Sequence, residues 1–144
     1  MPNPIDTQIQ TIKQTKHIGL MTHVVVGFPT LEFTLPLIKT LAEAGSDLIE
    51  LQIPFSDPIA DGPTIMEACD VGLANGVTIH DCLSLMKQAA QEVDVPLLFT
   101  GYYNSVLNYG VEKFCQQAYE AGASGVIIPD IPPDEEQNEQ FISS

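Results

Sequence analysis

Apolar residues alternate between two patterns along this chain. Short continuous runs rich in Val, Ile and Leu are interleaved with stretches where apolar residues recur every three or four positions. The first pattern marks buried strands, the second amphipathic helices. A polar lead-in, Ile5 to Thr15, has Ile5, Ile9 and Ile12 at helical spacing and predicts a short helix. "IGLMTHVVVGFP" (Ile18–Pro29) then reads as a strand closed by Gly27 and Pro29. Thr30 to Ala44 is predicted helical, with Leu31, Leu35, Ile38 and Ala42 on one stripe, Thr30 as N-cap and Gly45 as stop. Pro36 costs an interior helix a hydrogen bond, so either the first turn is irregular or the helix begins near Leu35.

The alternation continues. "SDLIELQIP" is a second strand, and "TIMEACDVGLANG" and "TIHDCLSLMKQAAQEV" are helical pieces broken at Asn75-Gly76. "VPLLFTGYY" is a third strand and "VEKFCQQAYEAG" a helix with an apolar stripe of Val111, Phe114, Cys115 and Ala118. "SGVIIPDIPP" is a fourth strand, and "PDEEQNEQFISS" begins a fourth helix. The order α-βα-βα-βα-βα predicts an α/β fold, a parallel sheet covered by helices in one domain spanning 1–144. Four units in 144 residues are about half of a closed eightfold barrel, which runs to ~250. The chain is thus either a small open sheet or the first half of a barrel, cut after the start of its fourth helix.

Composition narrows the partners. Five basic against nineteen acidic side chains give a net charge of −14, which repels phosphate backbones and anionic lipid. Cys69, Cys82 and Cys115 lack metal-ligand spacing and read as buried or half-buried thiols of a reducing compartment. Neither a signal-peptide pattern nor a bilayer-length apolar run is present, so the expectation is a soluble cytoplasmic protein.

Candidate chemistry gathers after the second strand. Alternation sends Ile49, Leu51 and Ile53 to one face and Leu48, Glu50 and Gln52 to the other. In a barrel the second set faces inward, and Glu50 lies near the C-terminal strand end, where such folds place their active sites. An acid there is costly unless paired or protonated, which suits it to proton transfer; a Glu turned to solvent is the plainer alternative. The loop that follows holds Asp57 and Asp61 among Pro54, Pro58, Gly62 and Pro63, so its side chains are presented at low entropic cost. Asp-Pro and Asp-Gly are also ordinary turn pairs. "TGYYNSVLNYG" repeats the arrangement, with Tyr102, Tyr103 and Asn104 on a rim loop, and Asp130 follows strand four as a helix N-terminal acid. His23, within strand one, is placed as core or pocket lining. No Walker loop, Rossmann fingerprint or Ser/His/Asp pattern occurs.

"IELQIPFSDPIADGPTI", "YYNSVLNYGVEKF" and "GVIIPDIPPDEE" together resemble, in order, the alpha chain of tryptophan synthase. That resemblance implies a TIM barrel, of which this chain holds the first four of eight βα units, preceded by an extra helix across the barrel bottom. It implies a lyase of tryptophan biosynthesis that cleaves indole-3-glycerol phosphate to indole and glyceraldehyde 3-phosphate. Glu50 is then the general acid/base, Asp61 the carboxylate beside the indole nitrogen, and Tyr102 and His23 pocket residues. Asp57 sits on the loop that docks to the beta chain in an alpha2-beta2 complex. The alpha side needs no cofactor, since pyridoxal phosphate belongs to the beta partner. Three positions depart from the family pattern: Phe28 for an acid, His23 for an aromatic residue and Gln52 for glycine. The family's phosphate site comes from later loops, so the isolated 144 residues are expected to have little activity; the alternative is a catalytically silent module that binds a beta-type partner.

Overall fold

The computed structural model of the chain describes residues 3–16 and 18–131. Helices and strands alternate from α1 (Pro4–Thr15) and β1 (Met21–Val25) through α2 (Leu31–Glu43) and β2 (Leu48–Gln52). Helices α3 (Pro63–Ala74) and α4 (Ile79–Glu92) lead to β3 (Leu97–Thr100). Helices α5 (Tyr103–Tyr109) and α6 (Val111–Glu120) lead to β4 (Gly125–Ile127). All strand pairs are parallel, and the order β1-β2-β3-β4 follows the chain. The alternation of strands and helices follows the hydrophobic pattern, and sequential parallel strands joined by helices match the first βα units of a TIM barrel, the fold that the resemblance implies. The helix expected from "PDEEQNEQFISS" lies outside the described residues.

Three local expectations need correction. Strand β1 is shorter than the apolar run Ile18–Pro29. At its start the Leu20 N–H is taken by the Asp47 side chain, and beyond its end Gly27 turns the backbone to φ +87° and gives its N–H to Thr34 Oγ1. Pro36 neither delays nor breaks α2, which runs unbroken from Leu31 behind a Thr30 cap that accepts the Phe33 N–H. Pro36 has no N–H for the Glu32 carbonyl, and both residues lie on the exposed face of the helix, where solvent access keeps the cost of the lost hydrogen bond low. Finally, the segment read as a rim loop is helical from Tyr103 to Tyr109. Val106, fully buried, anchors that helix to the core, and Gly110 at φ +100° separates it from α6.

Strand alternation decides which face is core. Ile49, Leu51 and Phe99 are 0% exposed on the helix-covered side of the sheet, where they meet Ile38 of α2, Met86 of α4 and Phe114 of α6. Among the described residues, the opposite face is roofed at one corner. There α3 lies over the C-terminal ends of β1 and β2, with Ala68 and Cys69 against Val25. The approach is close: a Cβ on Gly72 would stand 2.8 Å from the Val26 carbonyl oxygen.

Helix α1 closes the other end of the sheet. Gly125, the first residue of β4, leaves room for Ile5, whose Cδ1 would lie 3.0 Å from a Cβ there. Asp47, just before β2, accepts from Lys16 Nζ at 2.6 Å, Leu20 N at 2.8 Å and Gln8 Nε2 at 3.4 Å. The Lys16 ammonium first, and then the Leu20 N–H, hold the Asp47 carboxyl below its ordinary range. A depressed folded-state value means that this stabilisation is complete above the unfolded carboxyl's pKa of about 3.9 and is lost as pH falls through the lower folded value. Thermal melts from neutral to strongly acidic pH should therefore show Asp47→Asn less stable than wild type at neutral pH, with the gap closing below pH about 4. A gap independent of pH would refute the ionic tie.

Candidate active site

The unroofed face of the sheet carries the predicted acids. Parallel register places His23 beside Glu50 and Glu50 beside Leu98, and one step toward the strand ends it places Val25 beside Gln52 and Gln52 beside Thr100. Glu50 is half-buried, and its Oε2 accepts from Thr100 Oγ1 at 2.7 Å. His23 lies on the same face but is solvent-exposed.

Asp61 comes from the loop between β2 and α3 and returns to the same corner. Its Oδ2 accepts from Gln52 Nε2 at 2.9 Å and from the Tyr102 hydroxyl at 2.8 Å. The Tyr102 oxygen also accepts the Ala60 N–H at 3.0 Å, and its ring stacks on Phe55 at 5.2 Å between centroids. Both ends of the loop are thereby tied to one side chain that is 1% exposed. Burial, helped by the hydrogen bond to Asp61, pushes the Tyr102 phenol up to about 12, so it stays protonated and remains a donor. Two donors converge on Oδ2, whereas Oδ1 has no donor among the described residues.

The two carboxyl groups are joined by strand geometry. Glu50 and Gln52 are two residues apart on one face, about 7 Å along the strand. Gln52 holds Asp61, while Thr100, its register partner, holds Glu50. The arrangement places two carboxyl groups over the same patch of floor, one of them with an oxygen that has no donor among the described residues.

Asp57 is exposed at the loop tip and accepts from Ser56 Oγ at 2.6 Å, while Ile59 beside it is 83% exposed. Asp130 does satisfy a helix N-terminal N–H, that of Tyr103 in α5; the helix expected to follow it lies outside the described residues. Sequence reasoning missed Thr100 and the role of Gln52. Alternation had placed Gln52 inward, and the same count along "PLLFT" would have placed Thr100 there too. Among the described residues, no group of three or more His, Cys, Asp or Glu side chains is placed to hold a metal ion. No described helix is long and apolar enough to cross a membrane.

Comparison with known proteins adds an independent line. Residues 9–143 match the family model for the tryptophan synthase alpha chain. A tryptophan synthase alpha chain from Dehalococcoides mccartyi is 49% identical over 126 residues, covering 88% of this chain and 49% of its own length. One from Syntrophotalea carbinolica is 44% identical, covering 91% of this chain and 52% of its own length. Among solved structures, the alpha subunit from Legionella pneumophila superposes with a TM-score of 0.93 at 35% identity, covering 99% of this chain and 56% of that one. The chain thus spans about half the length of the curated relatives it matches. The sheet order, the loop-borne acid and this match over nearly every residue agree: the chain belongs to the tryptophan synthase alpha chain family.

Proposed function

We propose that this chain supplies the acid-bearing half of a lyase site that cleaves indole-3-glycerol phosphate to indole and glyceraldehyde 3-phosphate. The observation that carries the reading is the placement of Glu50 and Asp61 over one patch of strand ends, each with its own hydrogen-bond donor. A retro-aldol scission needs a proton delivered to indole C3, which leaves positive charge on the ring nitrogen. Loss of the side-chain hydroxyl proton then forms the aldehyde C=O, and the electrons of the broken C–C bond restore the aromatic ring. Glu50 is the group that exchanges these protons. Asp61 Oδ1 accepts the ring N–H and steadies the charge that grows there. Both acids work without a cofactor on this side of the reaction.

The exposed loop with Asp57 and Ile59 is the docking element for a beta-type partner, which would receive the indole. A cytoplasmic location goes with that role. The test is indole release from indole-3-glycerol phosphate by the full natural chain, with and without a beta-type chain. No release in either setting, with substrate still bound, refutes the lyase reading.

Thr100 has a role within this reading. Its hydroxyl fixes one oxygen of Glu50, so removing it should misplace the acid without opening a cavity. Thr100→Val is expected to lower kcat about tenfold with KM near wild type and Tm lower by a few degrees, as a hydrogen bond to a charged group is worth about 1.5–3 kcal/mol. An unchanged kcat would show that Glu50 is held by other means.

A further inference from the structure

Gln52 occupies the last inward position of β2 and is 1% exposed. Its register partners are Val25 and Thr100, whose hydroxyl is already given to Glu50, and Cys69 of α3 lies above it. Among the described residues it is therefore the Asp61 carboxylate that an amide there serves best. The amide orientation follows from charge. With its oxygen toward Asp61, two acceptors would face each other, so the nitrogen must face the carboxylate. That nitrogen then serves Asp61 at 2.9 Å and Cys69 Sγ at 3.5 Å, and Oε1 is left buried without a partner among the described residues. A buried acceptor with no donor weakens the folded state, and an apolar side chain of equal length avoids the penalty. The amide therefore burdens the fold, and its shortest hydrogen bond goes to Asp61 Oδ2, with a longer, weaker one to the Cys69 sulfur.

We propose that Gln52 is a positioning residue of the lyase site, pinning Asp61 Oδ2 together with Tyr102 so that Oδ1 points to the substrate's ring nitrogen. The inference rests on the lyase reading above. Tyr102 alone leaves the carboxylate free to turn about that single hydrogen bond; a second donor from the strand floor removes the rotation. An acceptor fixed before charge develops need not be reorganised during the reaction, so the benefit falls on the transition state.

The test is Gln52→Met in the full natural chain, since methionine matches the length and removes both the donor and the orphaned oxygen. Expected are a Tm equal to or above wild type and a kcat/KM for indole release lower by about tenfold or more, mostly in kcat. In an Asp61→Asn background the same substitution should cost nothing further, because its effect passes through that carboxylate. A lower Tm, an unchanged kcat/KM, or a full additional loss in the Asp61→Asn background each overturns the proposal. Crystal structures of both proteins supply a readout independent of activity: one Asp61 rotamer in wild type, and a turned or split side chain in the variant. Should wild type release no indole, the lyase reading has failed on its own, and an unmoved Asp61 in the variant would overturn the positioning role separately.

Discussion

Glu50→Gln in the full natural chain should, on the lyase reading proposed above, lower indole release by about 10²–10⁴-fold, the contribution typical of a positioned general acid or base. The substitution is nearly isosteric, and the amide oxygen can still accept from Thr100 Oγ1, so the fold and the floor around it are retained. What is lost is the ability to hand a proton to carbon and to take one from oxygen. Asp61→Asn should cost somewhat less, about 10²–10³-fold, because an amide oxygen still accepts a hydrogen bond but no longer offsets charge on the ring nitrogen. Stopped assays for indole, with Tm measured in parallel, separate lost chemistry from lost structure. Near-wild-type turnover in both variants removes the two assigned roles.

On the other face of the same sheet the expected effect is on stability. Phe99 alternates with Thr100 along β3, so one step in sequence separates a core residue from a site residue. Its ring is 0% exposed and packs on Phe114 of α6 at 5.7 Å between centroids. Phe99→Ala should destabilise the chain by about 3–5 kcal/mol, through lost burial and the cavity left behind. For a chain of this size that lowers Tm by roughly 10 °C. Denaturant titration and thermal melts measure it directly, and a loss below about 1 kcal/mol would mean that α6 does not pack on β3 as described. The Thr100 contact to Glu50 should survive, since it lies across the pleat from the cavity.

The contrast between these substitutions shows how far local reading reaches. Period-two alternation in "DLIELQI" sorted Ile49 and Leu51 from Glu50 and Gln52, and the structure follows that sorting residue by residue. The Thr30 cap was equally local, since it accepts the N–H of Phe33 three residues on; the Thr78–Asp81 capping box is as local but was not read from the sequence. Pattern reading failed where a distant residue competes for the backbone. Asp47 takes the Leu20 N–H at the start of the first strand, and Thr34 takes the Gly27 N–H past its end, so the strand is shorter than its apolar run. The turn of helix after Tyr102 was hidden because its buried contact is essentially one side chain, Val106.

By itself the sequence determined the parallel α/β order, the inward set that includes Glu50, and a proline-stiffened loop carrying Asp61, because each depends on periods and backbone restrictions within a few residues. Only the tertiary structure decided that Tyr102 closes the loop, that Thr100 serves Glu50 and that Gln52 serves Asp61. Those pairings join residues 9 to 50 positions apart, and strand register with the path of one loop sets them. A hydrogen bond needs its partners placed to within a few tenths of an ångström, and no periodicity in a chain encodes that distance.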